Sequence, residues 1–119
     1  MLGFEPLEVG PELARAQARV GDQHKQPLGL VHGGVFAAMA ESIASQATFQ
    51  AVAPDGKIAV GLSNHTSFMR PITDGWVNAE GHPRHRGRST WIWELDFTDD
   101  EGRLCATSRV TMAVRPRPD

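Results

Sequence analysis

The chain of 119 residues contains a single cysteine, Cys105, so no intrachain disulfide can form and no cysteine-based metal cluster can assemble. It lacks an excess of basic residues: twelve Lys and Arg against fourteen Asp and Glu give a net charge of −2, which argues against general nucleic-acid binding. No long uninterrupted apolar run is present, because Glu41 and several polar side chains break residues 33 to 53, and the N-terminus Met-Leu-Gly-Phe-Glu-Pro has no basic n-region. A membrane span and an export signal are therefore not expected, and the cytoplasm is the expected location. There is neither an internal repeat nor a low-complexity block. Apolar residues at 40% and charged residues at 22% match an ordinary globular chain. The length predicts one domain over 1–119, with a core small enough to make assembly into an oligomer plausible.

One stretch lacks cations altogether. Between Lys25 and Lys57 there is no Lys or Arg, and Glu41 and Asp55 are the only acids. Within it lies the one long helical pattern: Phe36, Met39, Ile43 and Ala47 recur at helical spacing, while Ala37, Glu41, Ala44 or Ser45, and Thr48 form a second, smaller line. The helix opens at Gly33-Gly34 and ends at Pro54-Asp-Gly56. Such a helix is expected to be buried against a sheet or a partner.

The rest reads as strand and turn. Residues 2 to 9 and 13 to 20 flank Gly10-Pro11 as two short strands, the second of which could instead be a helical turn. Residues 21 to 31 form a loop. Residues 57 to 69 alternate strongly, a strand from Trp76 follows, and Arg84-His-Arg-Gly-Arg88 is expected to break it before a strand from Ser89 to Thr98. Trp91, Trp93, Leu95 and Phe97 share a face of that strand. Asp99-Asp-Glu-Gly102 then turns into residues 103 to 114. The order of strand, strand, helix and four strands is an α+β arrangement of one helix on one antiparallel sheet.

The residues allow a definite chemistry. Backbone N–H groups at a helix start have no intrahelical acceptor, and glycine lets a ligand approach them, so Gly33 could hold a carbonyl oxygen whose developing charge the helix dipole favours. The plainer reading is that the glycine pair serves tight packing. Glu41 could be a nucleophile or a general base on water, or an interfacial or solvated carboxylate. Ser45 could orient it or merely pack; Gln26 and His32 could donate to a substrate, or be a loop residue and a helix cap. Eight residues at 1.5 Å per residue separate Gly33 from Glu41 by about 12 Å, so one helix does not easily bring both to one bond, whereas a second subunit could. His65, His82 and His85 allow a metal reading, but a strand or loop gives them no defined shared face and no Cys or Asp cluster completes the shell, so no metal is expected.

Taken together, Gly29-Leu-Val-His-Gly-Gly34 with Glu41 nine residues after the His, Val60-Gly-Leu-Ser-Asn-His-Thr-Ser-Phe-Met-Arg-Pro71, Asp99-Asp-Glu-Gly-Arg-Leu-Cys-Ala106 and Ala113-Val-Arg-Pro-Arg117 carry a resemblance. The chain resembles the hotdog-fold acyl-CoA thioesterases of the phenylacetate-degradation type, nearest the 4-hydroxybenzoyl-CoA thioesterases that use a helix glutamate. The resemblance implies a sheet wrapped around the central helix and a homo-oligomer, a dimer at least, with a tetramer of two dimers as the expected assembly. It also implies an active site built across the dimer interface. It implies Glu41 as the catalytic carboxylate, the Gly33 amide as the group polarising the thioester carbonyl, and Gln26, His32 and Ser45 beside them. Arg70, Arg88, Ser89 and Thr90 are implied to contact the coenzyme A part of the substrate. No separate cofactor is expected, and an acyl-CoA, above all an aryl-CoA from aromatic-compound degradation, is the implied substrate. The sequence departs from the family at Pro118, where a relative has an arginine for coenzyme A, and at Gln46, where relatives have glutamate after the Ser or Thr. Arg115 or Arg117 could stand in for that arginine. The chain also starts later than the longest relatives, whose extra residues line the acyl pocket. A non-catalytic acyl-CoA binding or sensing module on the same fold is the alternative. A hydratase would place an Asp and His pair on the helix, and none follows His32.

Overall fold

The structure is a computed structural model and describes residues 3–118. Its elements are β1 (Phe4–Val9), β2 (Ala14–Arg19), a 3₁₀ turn (Asp22–His24), helix α1 (Gly33–Val52), a second 3₁₀ turn (Ala53–Asp55), β3 (Lys57–Phe68), β4 (Trp76–Arg86), β5 (Thr90–Thr98) and β6 (Leu104–Pro116). The strands form one antiparallel sheet in the order β1-β2-β4-β5-β6-β3. It curls around α1, and this is the hotdog fold.

The alanine-rich segment is β2, because Ala14, Ala16 and Ala18 alternate into the core while Arg15 and Arg19 face out. Small side chains there leave room for the helix. Phe36, Met39, Ile43 and Ala47 of the helix share one buried core with Trp93, Leu95, Phe97, Val110 and Met112 of the sheet. Each large apolar side chain so buried contributes roughly 1.5–3 kcal/mol. Two side-chain hydrogen bonds tie helix to sheet. The Trp93 indole N–H donates to Thr48 Oγ1 at 2.9 Å, and Asn64 Nδ2 donates to the Ala37 carbonyl at 2.8 Å.

One sequence expectation changes. β4 does not break at Arg84: it runs through His85 to Arg86 with a bulge between Pro83 and His85, and the turn is only Gly87-Arg88-Ser89, closed by the Gly87 N–H to the Thr90 carbonyl at 2.8 Å. Charged side chains are tolerated in the strand because they lie on its exposed face, where Arg84 meets Glu94 at 3.2 Å and Arg86 meets Glu12 at 3.6 Å. The residues between β3 and β4 do not close a hairpin. β3 crosses to the far edge of the sheet and pairs with β6, so its other side is an open edge with Val60, Leu62 and Phe68 exposed. Of the first expected strand, Leu2 lies outside the described residues. No helix among the described residues is long and apolar enough to cross a membrane.

Candidate active site

The loop before the helix is a hydrogen-bonded bracket. Gln26 N–H donates to the Leu30 carbonyl at 2.8 Å, Gly29 N–H donates back to Gln26 at 2.9 Å, and Gly29 takes φ +85°, a conformation that side chains other than glycine rarely adopt. The Val31 amide reaches the Ile72 carbonyl at 2.8 Å, and the His32 amide reaches that of His24 at 2.6 Å. Gln26 Oε1 accepts the Leu28 N–H at 2.5 Å. That bond fixes the side-chain amide so that its Nε2 hydrogens are the ones left to donate.

His32 is the helix cap, the plainer of the two sequence readings: Nδ1 accepts the Gly34 N–H at 3.0 Å. Its hydrogen is thereby placed on Nε2, which leaves a second, outward donor. Capping also separates the two glycines. Gly34 N–H is consumed, while the Gly33 N–H has no acceptor among the described residues. A Cβ on Gly33 would stand 2.8 Å from the Phe68 ring, so a side chain there would require that ring to move. Around it lies a cavity of about 470 Å³ lined by Leu30, Phe36, Phe68 and Met69 with the polar groups of Gln26, His32 and Arg70. Apolar walls with a few convergent donors suit a neutral carbonyl.

Glu41 lies elsewhere. Two turns on, it faces an open groove of about 730 Å³ with Ala37, Ala38, Ser42, Ser45, Asn64 and Thr66, and its carboxylate has no ion-pair or hydrogen-bond partner among the described residues. Across from it is Gly61 of β3, where an added Cβ would lie 3.4 Å from the carboxyl carbon. The candidate set therefore falls into two groups within one chain: Gln26, His32, Gly33 and Arg70 in one cavity, Glu41 and Ser45 in the other.

Arg88, Ser89 and Thr90 belong to neither. Ser89 accepts the Val114 N–H at 2.9 Å and an Arg115 guanidinium N–H at 3.1 Å, whereas the Arg70 amide donates to Cys105 at 3.1 Å. Nine residues of β6 separate those anchor points, about 30 Å at 3.3 Å per residue. Arg88 has no acidic partner among the described residues, unlike Arg84 and Arg86. The histidines considered for metal have other company: His82 Nε2 lies 3.1 Å from Glu80, and His65 sits opposite Arg109. Burial pushes the Cys105 thiol up, which keeps it protonated and unreactive. Asn64 and Thr66 were not among the candidates read from sequence. The signal was present, since they are the polar members of an otherwise apolar alternation from Ile58 to Phe68.

Comparison with known proteins agrees with this architecture. Residues 28–106 match the model of the thioesterase superfamily. The proofreading thioesterase EntH of Cronobacter turicensis is 38% identical over 113 residues, covering 95% of this chain and 82% of its own. A protein of Mycobacterium tuberculosis provisionally named an esterase is 42% identical, covering 93% of this chain and 81% of its own. Its solved structure superposes with a TM-score of 0.94 at 41% identity, over 99% of this chain and 95% of that one. A thioesterase structure from Haemophilus influenzae gives 0.92 at 35% identity, over 99% and 82%. The chain belongs to the thioesterase superfamily and is a thioester hydrolase.

Proposed function

We propose that the protein hydrolyses an acyl-CoA thioester, with an aryl-CoA as the acyl class, at a site completed by two copies of the chain. The observation that carries this reading is the separation just described: an amide donor and a carboxylate on one helix, each without a partner among the described residues, opening into different cavities. The open edge of β3, with exposed Val60, Leu62 and Phe68, supplies a surface on which a second sheet can pair. Pairing there would bring the Gly33 cavity of one protomer towards the Glu41 groove of the other.

In this reading the thioester oxygen rests on the Gly33 N–H, with donors from Gln26 and His32 nearby, and negative charge developing on it is met by the helix N-terminus. Glu41 of the opposing protomer either attacks the carbonyl carbon or takes a proton from the water that does. By the first route a glutamyl–acyl anhydride forms as the C–S bond breaks, and water then cleaves it. By the second, water adds directly. Both routes consume one water and release one acid and one CoA thiol, with Ser45 placed to orient the carboxylate or the water. Arg70 and the Arg88, Ser89 and Thr90 turn are assigned to the phosphates of CoA, drawn from different protomers because one chain holds them so far apart. The benzoyl-type acyl group is favoured by the aromatic wall of Phe36 and Phe68, whose ring centroids are 5.9 Å apart.

The test is thiol release measured over benzoyl-, hydroxybenzoyl-, phenylacetyl-, dihydroxynaphthoyl- and straight-chain acyl-CoA. Aryl substrates should be turned over fastest, and Glu41→Ala should lower kcat by about 10³-fold or more with little change in substrate binding. Tight acyl-CoA binding with no thiol release would instead make the protein a binding or sensing module.

A further inference from the structure

Between the helix and the edge strand runs a chain of hydrogen bonds whose direction can be worked out from the chemistry of its members. Thr66 Oγ1 lies 2.8 Å from Asn64 Oδ1 and 2.7 Å from Ser108 Oγ, and Asn64 Nδ2 lies 2.8 Å from the Ala37 carbonyl. An amide oxygen only accepts, so the single Thr66 hydroxyl proton must go to Asn64, and Ser108 must then be the donor to Thr66. The Ala37 carbonyl likewise only accepts. Turning the Asn64 amide over would face oxygen to oxygen there, so the Ala37 carbonyl fixes its orientation and leaves Oδ1 towards Thr66. The order is Ser108 O–H to Thr66 O–H to Asn64 C=O, and Asn64 N–H to the Ala37 carbonyl.

That last carbonyl is also the helical acceptor of the Glu41 N–H, four residues on. The chain therefore ends on the peptide group that holds the Glu41 backbone. At its other end it is anchored in the sheet, because Ser108 is buried at 4% exposure and stands directly opposite Thr66 in the β3–β6 register. The strand it pins needs such an anchor. Among the described residues β3 has only β6 as a neighbour in the sheet, and its register shifts between Gly61 and Ser63, beside the glycine against which the Glu41 carboxylate rests. The second Asn64 side-chain N–H has no partner among the described residues, and Asn64 and Thr66 both line the groove that Glu41 faces.

We infer that Asn64, oriented by Thr66 and Ser108, is a positioning residue that sets the distance between α1 and β3 at Glu41, an inference that rests on Glu41 being the catalytic carboxylate. Positional errors near 1 Å at a reacting group cost on the order of 10²-fold in rate. Asn64→Ala should therefore lower kcat by roughly 30- to 100-fold, and Thr66→Val, which keeps the shape but removes the proton, by roughly tenfold. KM should change little, because neither side chain lies in the Gly33 cavity.

The experiment measures kcat, KM and thermal midpoint with the fastest acyl-CoA of the substrate panel, for the wild type, Asn64→Ala, Thr66→Val, Thr66→Ser and Glu41→Gln. The inference predicts a kcat loss in Thr66→Val at an unchanged thermal midpoint, with Thr66→Ser returning to within about twofold of wild type because its hydroxyl restores the chain. Wild-type kcat in Asn64→Ala and Thr66→Val beside an inactive Glu41→Gln would overturn the inference and leave the catalytic reading standing. So would a kcat loss that follows the thermal midpoint and is not rescued by Thr66→Ser. Full activity in Glu41→Gln would instead overturn the catalytic reading itself.

Discussion

The Gly33 cavity and the Glu41 groove sit on one helix about 12 Å apart, and they are built on opposite plans. The first is a pocket with aromatic and aliphatic sides, its donors held by a loop in which most backbone N–H groups are bonded. The second is an open, polar trough with a bare carboxylate and small side chains around it. One offers donors to a carbonyl among apolar walls; the other offers an electron pair among small and polar side chains. In the proposed function neither does thioester chemistry alone. On that proposal, an electrophile-binding half of one chain pairs with a nucleophile-supplying half of another.

The sharpest way to break this comparison is to separate the halves on different chains. A variant lacking the carboxylate, Glu41→Gln, and one with an obstructed amide pocket, Gly33→Val, should each lose about 10²- to 10³-fold in activity. Unfolded together and refolded at equal amounts, random pairing makes half the dimers mixed, and each mixed dimer regains one intact site of two. Activity should return to about a quarter of wild type, far above either parent. No recovery on mixing would place Gly33 and Glu41 in the same protomer's site and dissolve the distinction.

A smaller change addresses the Gly33 half alone. Gly33→Ala puts a methyl group where the Phe68 ring now lies, 2.8 Å away, but that ring is 59% exposed and can swing aside. The methyl and displaced ring crowd the approach to the amide, so kcat/KM should fall by about 10²-fold, the order of one lost oxyanion donor. Stability should hold or rise by about 0.5–1 kcal/mol, since alanine is the better helix residue. Thermal unfolding beside steady-state kinetics checks it: unchanged activity would mean that no ligand approaches the Gly33 amide.

How much of this was legible in the sequence depended on the distance over which information had to travel. Helix α1 was readable because Phe36, Met39, Ile43 and Ala47 repeat within a few residues, and Glu41 drew notice as an acid in a stretch without cations. Even the division into two halves followed from helical rise alone. Strand order was not readable, because β3 is followed in sequence by β4 yet pairs with β6, and this crossing puts Arg70 and Ser89 at opposite ends of one strand. The Asn64, Thr66 and Ser108 chain was hidden for the same reason, since it needs the register of residues 42 positions apart. Arg84 and Arg86 misled as a break because charge suggests a turn, although an exposed sheet face accommodates it.

The smallest expected effect tests whether the two halves are supported independently. The Asp99 carboxylate clasps the β5–β6 turn, accepting from the Glu101 amide at 3.0 Å, the Arg103 amide at 2.9 Å and the Arg103 guanidinium at 2.8 Å. Burial works to raise this carboxyl, but the hydrogen bonds from Arg103 and Glu101 and the Arg103 charge outweigh it and hold the group below its ordinary 3.8. A carboxyl lowered in the folded state contributes stability above its unfolded value, and loses it as pH falls through the folded one. Asp99→Asn should therefore lower the thermal midpoint by a few degrees at pH 7, and the gap to wild type should close as pH drops below about 3.8. The turn leads straight into Cys105, whose carbonyl accepts the amides of Met69 and Arg70 in the wall of the Gly33 cavity. Hydrogen exchange at neutral pH should quicken in Asp99→Asn at residues 69–70 and 99–105, while residues 61–66 beside Glu41 stay as protected as in the wild type. Equal quickening in both segments would show that the two halves share one support and that the separation between them is only one of position.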